Sequence, residues 1–230
     1  MKNSNTYLLH TGSVNGNAFG VFATLKSNNI KTGNMVQISI LLLDQHPVAV
    51  VQSGLDADTI CQGCPFASGQ GCYVEVGKSM GAVWGAYQRG NVPRLPRHQW
   101  RKIFKGRFIR FGSYGNPSLI PLAIVKRLAK LSGGWTGYYH DWHLMKPQRA
   151  RAYGEYFMAS TDSSKSYKLA QDMGLRAFHV GKGKEDSIEC LANTHGLQCI
   201  QCQLCKGNST GAKNIFIPPH GAKKGKVVVQ

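Results

Sequence analysis

Cysteine is the residue type that carries most of the chemistry in this sequence. Cys61, Cys64 and Cys72 stand together in CQGCPFASGQGC, and Cys190, Cys199, Cys202 and Cys205 stand in CLANTHGLQCIQCQLC. Seven thiols are an odd number for a disulfide framework, and the first residues (MKNSNTYLLH) lack the apolar run of an export signal. A cytoplasmic chain with metal-binding thiolates is therefore expected. The successive two-residue gaps of Cys199, Cys202 and Cys205 are those of iron–sulfur runs, in which one short loop wraps a four-iron cubane; Cys190 supplies the fourth ligand. This spacing favours a 4Fe-4S cluster over zinc, which more often uses paired CxxC knuckles, and with zinc His195 or His220 would stand in as ligands. Cys61, Cys64 and Cys72 offer three thiolates and no local fourth. They suit an open cluster with one iron free, a zinc site completed by a distant histidine such as His46, or a centre shared with the second run.

A second set of reactive side chains follows short apolar stretches. Asn116, His140, Asp141, His143 and Asp162 come directly after stretches that read as strands, and they are the candidate catalytic residues. In parallel α/β folds such strand ends carry the site. Ser160 and His179 occupy similar positions. The alternative reading is local: Asn116 turns the chain and Asp162 caps a helix.

The third set is basic. The chain has 28 Lys and Arg against 11 Asp and Glu, a formal net charge of +17. Between residues 89 and 110 no acidic residue interrupts Arg89, Arg94, Arg97, Arg101, Lys102, Lys105, Arg107 and Arg110. Arginine grips phosphate through two parallel hydrogen bonds, and the interleaved Trp100, Phe104 and Phe108 offer faces for bases. Arg94, Arg97, Arg101, Lys102, Lys105, Arg107 and Arg110 are the candidate contacts to DNA or RNA. The plainer reading is a solvated basic helix whose aromatics belong to the core. Lys146, Arg149 and Arg151 form a smaller cluster after His143.

These groups need a scaffold. Apolar residues make up 42% of the 230 and aromatics 10%, which excludes wholesale disorder, and no apolar run is long enough for a membrane span. Residues 1–34 read as an irregular or hairpin-like lead-in. Residues 35–43 read as a strand buried on both faces, and 48–52 as a second strand. Helices are expected over 74–89, 97–105, 121–131 and 163–173, and strands over 108–111, 135–139, 156–159 and 176–180. Strand, helix, strand in repetition is the rhythm of parallel βαβ units. The expected fold is α/β, a parallel (β/α) barrel or partial barrel. It spans residues 1–180, with the cysteine loop 61–72 and the basic segment 89–110 inserted. A cysteine-rich metal-binding C-terminal lobe with a basic tail spans 181–230. Residues 227–229 read as tail or closing strand.

Several stretches together resemble a family of uncharacterised cysteine-rich proteins encoded by phages, prophages and plasmids. They are NIKTGNMVQISILLL, CQGCPFASGQGCYV, AVWGAYQRGNVP, FIRFGSYGNPSLIP, WTGYYHDWH, FMASTDSS, CIQCQLCKGN and IFIPPHG. The resemblance covers nearly the whole chain. The β/α pattern is also distantly similar to radical S-adenosylmethionine barrels, which implies an iron–sulfur enzyme with S-adenosylmethionine as a further cofactor. Neither cysteine run has the usual three-then-two gap of that motif, and the chain has no P-loop, no GxGxxG and no HExxH. The leading expectation is a mobile-element metalloprotein in the host cytoplasm that binds nucleic acid, and in its enzymatic form modifies it. The alternative is a non-enzymatic DNA- or RNA-binding regulator of transcription or replication, stabilised by zinc or a cluster, with a host or phage protein as a further partner.

Overall fold

The computed structural model describes residues 4–220 and 224–226. The lead-in is a regular hairpin. β1 (Thr6–Val14) and β2 (Asn17–Thr24) pair antiparallel around a turn at Asn15-Gly16, a sequence suited to two-residue hairpin turns. β3 (Val36–Leu42) continues antiparallel to β2 and is buried at all seven positions, as its near-continuous apolar character anticipates; Gln37 and Ser39 are its two buried polar residues. From β3 onward every pairing is parallel. β4 (Phe108–Tyr114) lies beside β3, and β5 (Gly134–Thr136) beside β4.

A second sheet holds β6 (Tyr138–Tyr139), β7 (Met158–Thr161), β8 (Ala177–Val180), β9 (Ser187–Glu189) and β10 (Asn214–Ile217) in the order β6-β7-β8-β10-β9. Only Gly137 separates β5 from β6. Its N–H donates to Cys205 O at 3.0 Å, and its carbonyl accepts from Met158 N at 3.0 Å. A Cβ at Gly137 would come within 2.8 Å of the Phe157 ring, so close approach demands glycine there. Among the described residues the strands form two five-stranded sheets in an α/β arrangement, and no ladder closes them into a barrel. The C-terminal segment is woven into the second sheet, because β10 enters between β8 and β9. The expected closing strand at 227–229 lies outside the described residues.

The helices cover the sheets where the periodicity places them. Leu122–Leu131 buries Ile124, Val125, Leu128 and Ala129, one continuous stripe. Ser164–Asp172 is capped by Ser163, whose hydroxyl accepts from Ser166 N at 3.2 Å while Ser166 Oγ accepts from Ser163 N at 3.1 Å. Residues 48–52 are a correction: they belong to the helix Pro47–Gln52, with proline at its first turn and His46 Nδ1 accepting from Val48 N at 3.3 Å. The helix Pro147–Gly154 starts the same way and was not anticipated. No helix among the described residues is long and apolar enough to cross a membrane.

Trp100 and Phe104 are both fully buried in the main core. They are therefore unable to stack on bases, and that part of the nucleic-acid expectation is overturned. The indole N–H of Trp100 donates to Leu95 O at 3.1 Å. Trp100→Ala should cost about 3–5 kcal/mol of stability, the range for emptying a large aromatic site. The midpoint of urea unfolding measures it, and a loss within ~0.5 kcal/mol of zero would show the site to be less tightly packed than described.

Candidate functional site

At the C-terminal ends of β4, β6, β7 and β8 lies a cavity of about 110 Å³. Cys61, Cys64 and Cys72 form part of its wall, together with Tyr114, Asn116, His140 and Ser160. The cysteine loop is held by Asp56, which is buried. Its carboxylate accepts from Ser68 N at 2.9 Å, from Ser68 Oγ at 2.8 Å and from the Cys61 thiol at 3.9 Å. Asn116 ties that loop to the sheet, because its N–H donates to Ile60 O at 2.6 Å. The preceding Gly115 has φ 79°, and a Cβ there would sit 2.9 Å from Ile40 Cβ. Only glycine lets β4 turn so close to β3 at the pocket mouth.

A polar network runs behind the thiols. Asn116 Nδ2 donates to Gln62 Oε1 at 3.4 Å, and Asn116 Oδ1 accepts from His140 N at 3.3 Å. Ser118 Oγ donates to Asp141 Oδ2 at 2.8 Å. Of the expected catalytic residues, Asn116 and His140 face the cavity. Asp141 is buried behind them, and His143 is exposed, edge-on to Trp142 at 5.2 Å. Asp162 accepts from Ser166 Oγ at 3.2 Å and is an electrostatic neighbour of Cys64. Burial, then the nearby His143, lowers the His140 pKa to about 4, so its ring is neutral at physiological pH.

Burial raises the Asp141 pKa above the ordinary carboxylate value, with Asn116 and Ser118 pulling the other way. A raised folded-state pKa stabilises the fold below the unfolded pKa, and that stability is lost as pH climbs through the folded value. Asp141→Asn should therefore melt higher than the native chain at about pH 8, with the gap closing near about pH 4. A gap that stays constant with pH would contradict the assignment.

The thiols sit in an environment hostile to bare thiolates. Burial raises the Cys61 pKa, and Cys64 and Asp56 raise it further. Burial pushes Cys64 up to about 12. In the second run, burial raises Cys199 and Cys205 while Arg110 opposes it. Cys199 N donates to Lys31 O at 2.9 Å and Cys190 N to Phe216 O at 2.8 Å, which docks this segment on the sheet edge. For Cys61, Cys64, Cys199 and Cys205, every perturbing thiol belongs to its own run, so the thiols form two separate sets. No disulfide joins any of the seven. Among the described residues no group of three or more His, Cys, Asp or Glu side chains is arranged to hold a metal ion. His46 is occupied as a helix cap, and His195 is exposed and bonded to Thr194 Oγ1 at 2.6 Å. His220 stacks on Tyr73 at 5.3 Å between ring centres.

Comparison with protein-family models, with curated proteins and with solved structures returned no match. Function has to be read from the geometry.

The basic segment lies at the other end of the sheet. Lys105 and Arg107 directly precede β4, whose far end opens on the cavity; seven residues of strand separate them by about 23 Å. Arg94, Arg97, Arg101, Lys102, Lys105 and Arg107 are exposed. Arg110 is a correction. It is 5% exposed, donating to Tyr138 Oη at 2.8 Å and Tyr73 Oη at 3.0 Å, with its guanidinium 4.5 Å from the Tyr138 ring centre. The chain changes from helix to strand at Phe108, and residue 110 points into the fold. Tyr73, Tyr114 and Asp56 were missed as site residues because only long-range contacts reveal them.

Proposed function

We propose that the chain is an iron–sulfur protein. In this reading Cys61, Cys64 and Cys72 hold a cluster with one iron lacking a protein thiolate, and Cys190, Cys199, Cys202 and Cys205 hold a second cluster. The observation that carries it is the company of the first three thiols. They line one cavity with the Tyr114 hydroxyl, which is buried and has no hydrogen-bond partner. Such a hydroxyl costs about 1–3 kcal/mol unless something accepts from it, and metal-bound thiolate or sulfide would. Buried thiols with raised pKa values also need a cation to ionise them.

A cluster with an open iron supplies electrons or a Lewis-acidic position to whatever occupies the cavity. The chain's own residues would shape that space. His140 offers a neutral imidazole that can take a proton, Asn116 fixes the His140 backbone, and Phe178 and Tyr138, stacked at 4.1 Å, form an apolar wall that excludes water. The exposed strip from Arg94 to Arg107 supports nucleic acid as the macromolecular partner, held at the opposite end of the sheet from the cavity.

The test is iron and acid-labile sulfide analysis with an absorption spectrum, on full-length protein purified without oxygen. Iron with matching sulfide and a broad visible band is expected. A colourless protein containing zinc alone would overturn the cluster and favour the regulatory reading, in which the metals are structural.

A further inference from the structure

We propose that the groove beside the thiol cavity is a binding site for a ligand carrying an oxyanion, phosphate or carboxylate, with an adjacent N–H or O–H donor. Arg110 and Gln37 would grip it. The groove has a volume of about 1030 Å³, enough for a nucleotide-sized molecule, and shares Tyr73 and Tyr138 with the thiol cavity as a common wall. This site goes beyond the cluster reading but borders it, since Cys190 and Cys199, which that reading gives to the second centre, also line the groove.

Arg110 and Gln37 are register partners on neighbouring parallel strands, and both line the groove. The Arg110 guanidinium is 95% withdrawn from water, yet both its hydrogen-bond partners are neutral phenols, and no ion pair among the described residues includes it. A buried cation without an anion is unfavourable. The only acidic residue among those described in the groove lining is Glu75, which is already paired with Lys78 at 2.5 Å. Lys26 and Lys31 line the same groove and are exposed, so its charge favours an anion.

Gln37 supplies the second half of the recognition. Its side-chain N–H groups donate to Thr32 Oγ1 and Met35 O, each at 3.0 Å, and the Met35 carbonyl fixes which way the amide points. Gln37 Oε1 is then left buried without a partner. Thiolates at Cys199 or Cys205 would offset part of the Arg110 charge, but a thiolate has no proton to give to Gln37. A ligand presenting an anion and a donor side by side satisfies both. A nucleoside 5′-monophosphate, with phosphate and ribose hydroxyls, fits that description, and so does an α-amino acid, with carboxylate and ammonium.

The test is calorimetric titration of the full chain as purified, with iron content recorded for every sample. The probes are guanosine 5′-monophosphate, adenosine 5′-monophosphate, glutamate and inorganic phosphate. Saturable one-to-one binding of at least one organic probe is expected, weakened about tenfold or more by Arg110→Gln and unchanged by Lys165→Gln, an exposed lysine of the helix Ser164–Asp172 outside the groove. Monophosphate binding with silent glutamate would assign the oxyanion as phosphate; the reverse would assign carboxylate. If Arg110→Gln does not fold, Tyr73→Phe decides: it keeps the cation, removes one hydroxyl that orients it, and should weaken the same probe severalfold at unchanged melting temperature. The proposal is overturned if no organic probe saturates, if Lys165→Gln weakens binding as much as the Arg110 or Tyr73 variant, or if the variant that folds leaves affinity unchanged. An Arg110→Gln protein that loses iron at unchanged affinity would reassign Arg110 to the cysteine centre and discard the anion site.

Discussion

Cys64→Ala should halve the iron in the protein, from about eight atoms per chain to about four, as expected for the loss of one of two four-iron centres. Cys202→Ala should do the same through the other centre, and the double variant should be almost iron-free. The argument rests on the separation of the two thiol sets. Cys64 is perturbed by Cys72, and Cys205 by Cys190, Cys199 and Cys202, each by thiols of its own run. Between them stand Tyr73, Arg110 and Tyr138, joined by hydrogen bonds of 2.8 and 3.0 Å. Iron and sulfide assays on each variant, with circular dichroism to confirm folding, make the comparison. If Cys64→Ala alone removed all the iron, a single shared centre would replace two; if it removed none, Cys64 would not be a ligand.

The second large effect concerns the exposed basic strip. If Arg94, Arg97, Arg101, Lys102, Lys105 and Arg107 each neutralise a phosphate, the affinity for duplex DNA should fall with a log–log salt slope of about −5, or roughly a thousandfold between 50 and 200 mM salt. Reversing Arg101 and Lys105 to glutamate should remove at least two of those contacts, flatten the slope by about two units and weaken binding by about a hundredfold at low salt. His140→Ala should leave this affinity untouched, because His140 faces the cavity at the far end of the sheet. Titration of labelled DNA and RNA duplexes at several salt concentrations reads all of these effects. A slope near zero would remove nucleic acid as a partner, and a His140→Ala effect equal to the charge reversal would mean that the strip is not where it binds.

Much of the scaffold was legible because local pattern and global position agree. β3 is largely apolar and buried throughout, and the helix Leu122–Leu131 shows its stripe in the sequence. The segment at 48–52 misled because Val48, Val50 and Val51 favour strands, while the signal that won, Pro47 at the first helical turn, is a single residue. Arg110 misled for another reason. A run of like charges suggests one continuous surface, but the run passes into β4 at Phe108, a strand flanked by β3 and β5 and buried on both faces at residues 109–111. In the site, Asn116 and His140 could be found because a parallel fold displays its strand ends. Tyr73, Tyr114 and Asp56 could not, since their roles depend on partners that no local spacing encodes. β9 and β10, with three and four residues, are too short for periodicity to register.

The placement of β10 has a consequence for how the chain comes to its fold. Among the described residues β9 pairs only with β10, and β10 lies between it and β8. Until residues 214–217 have left the ribosome, β9 has no strand to join and β8 keeps one edge bare. The β8-β10-β9 part of the second sheet is therefore finished only once residue 217 is made, by an insertion that spans the whole cysteine segment 190–205. Loop closure over so long a stretch is slow relative to local hairpins. If the proposed cluster fills the C-terminal thiol set, it would shorten that loop in effect, and the supply of iron during synthesis would set the pace at which β10 slots home.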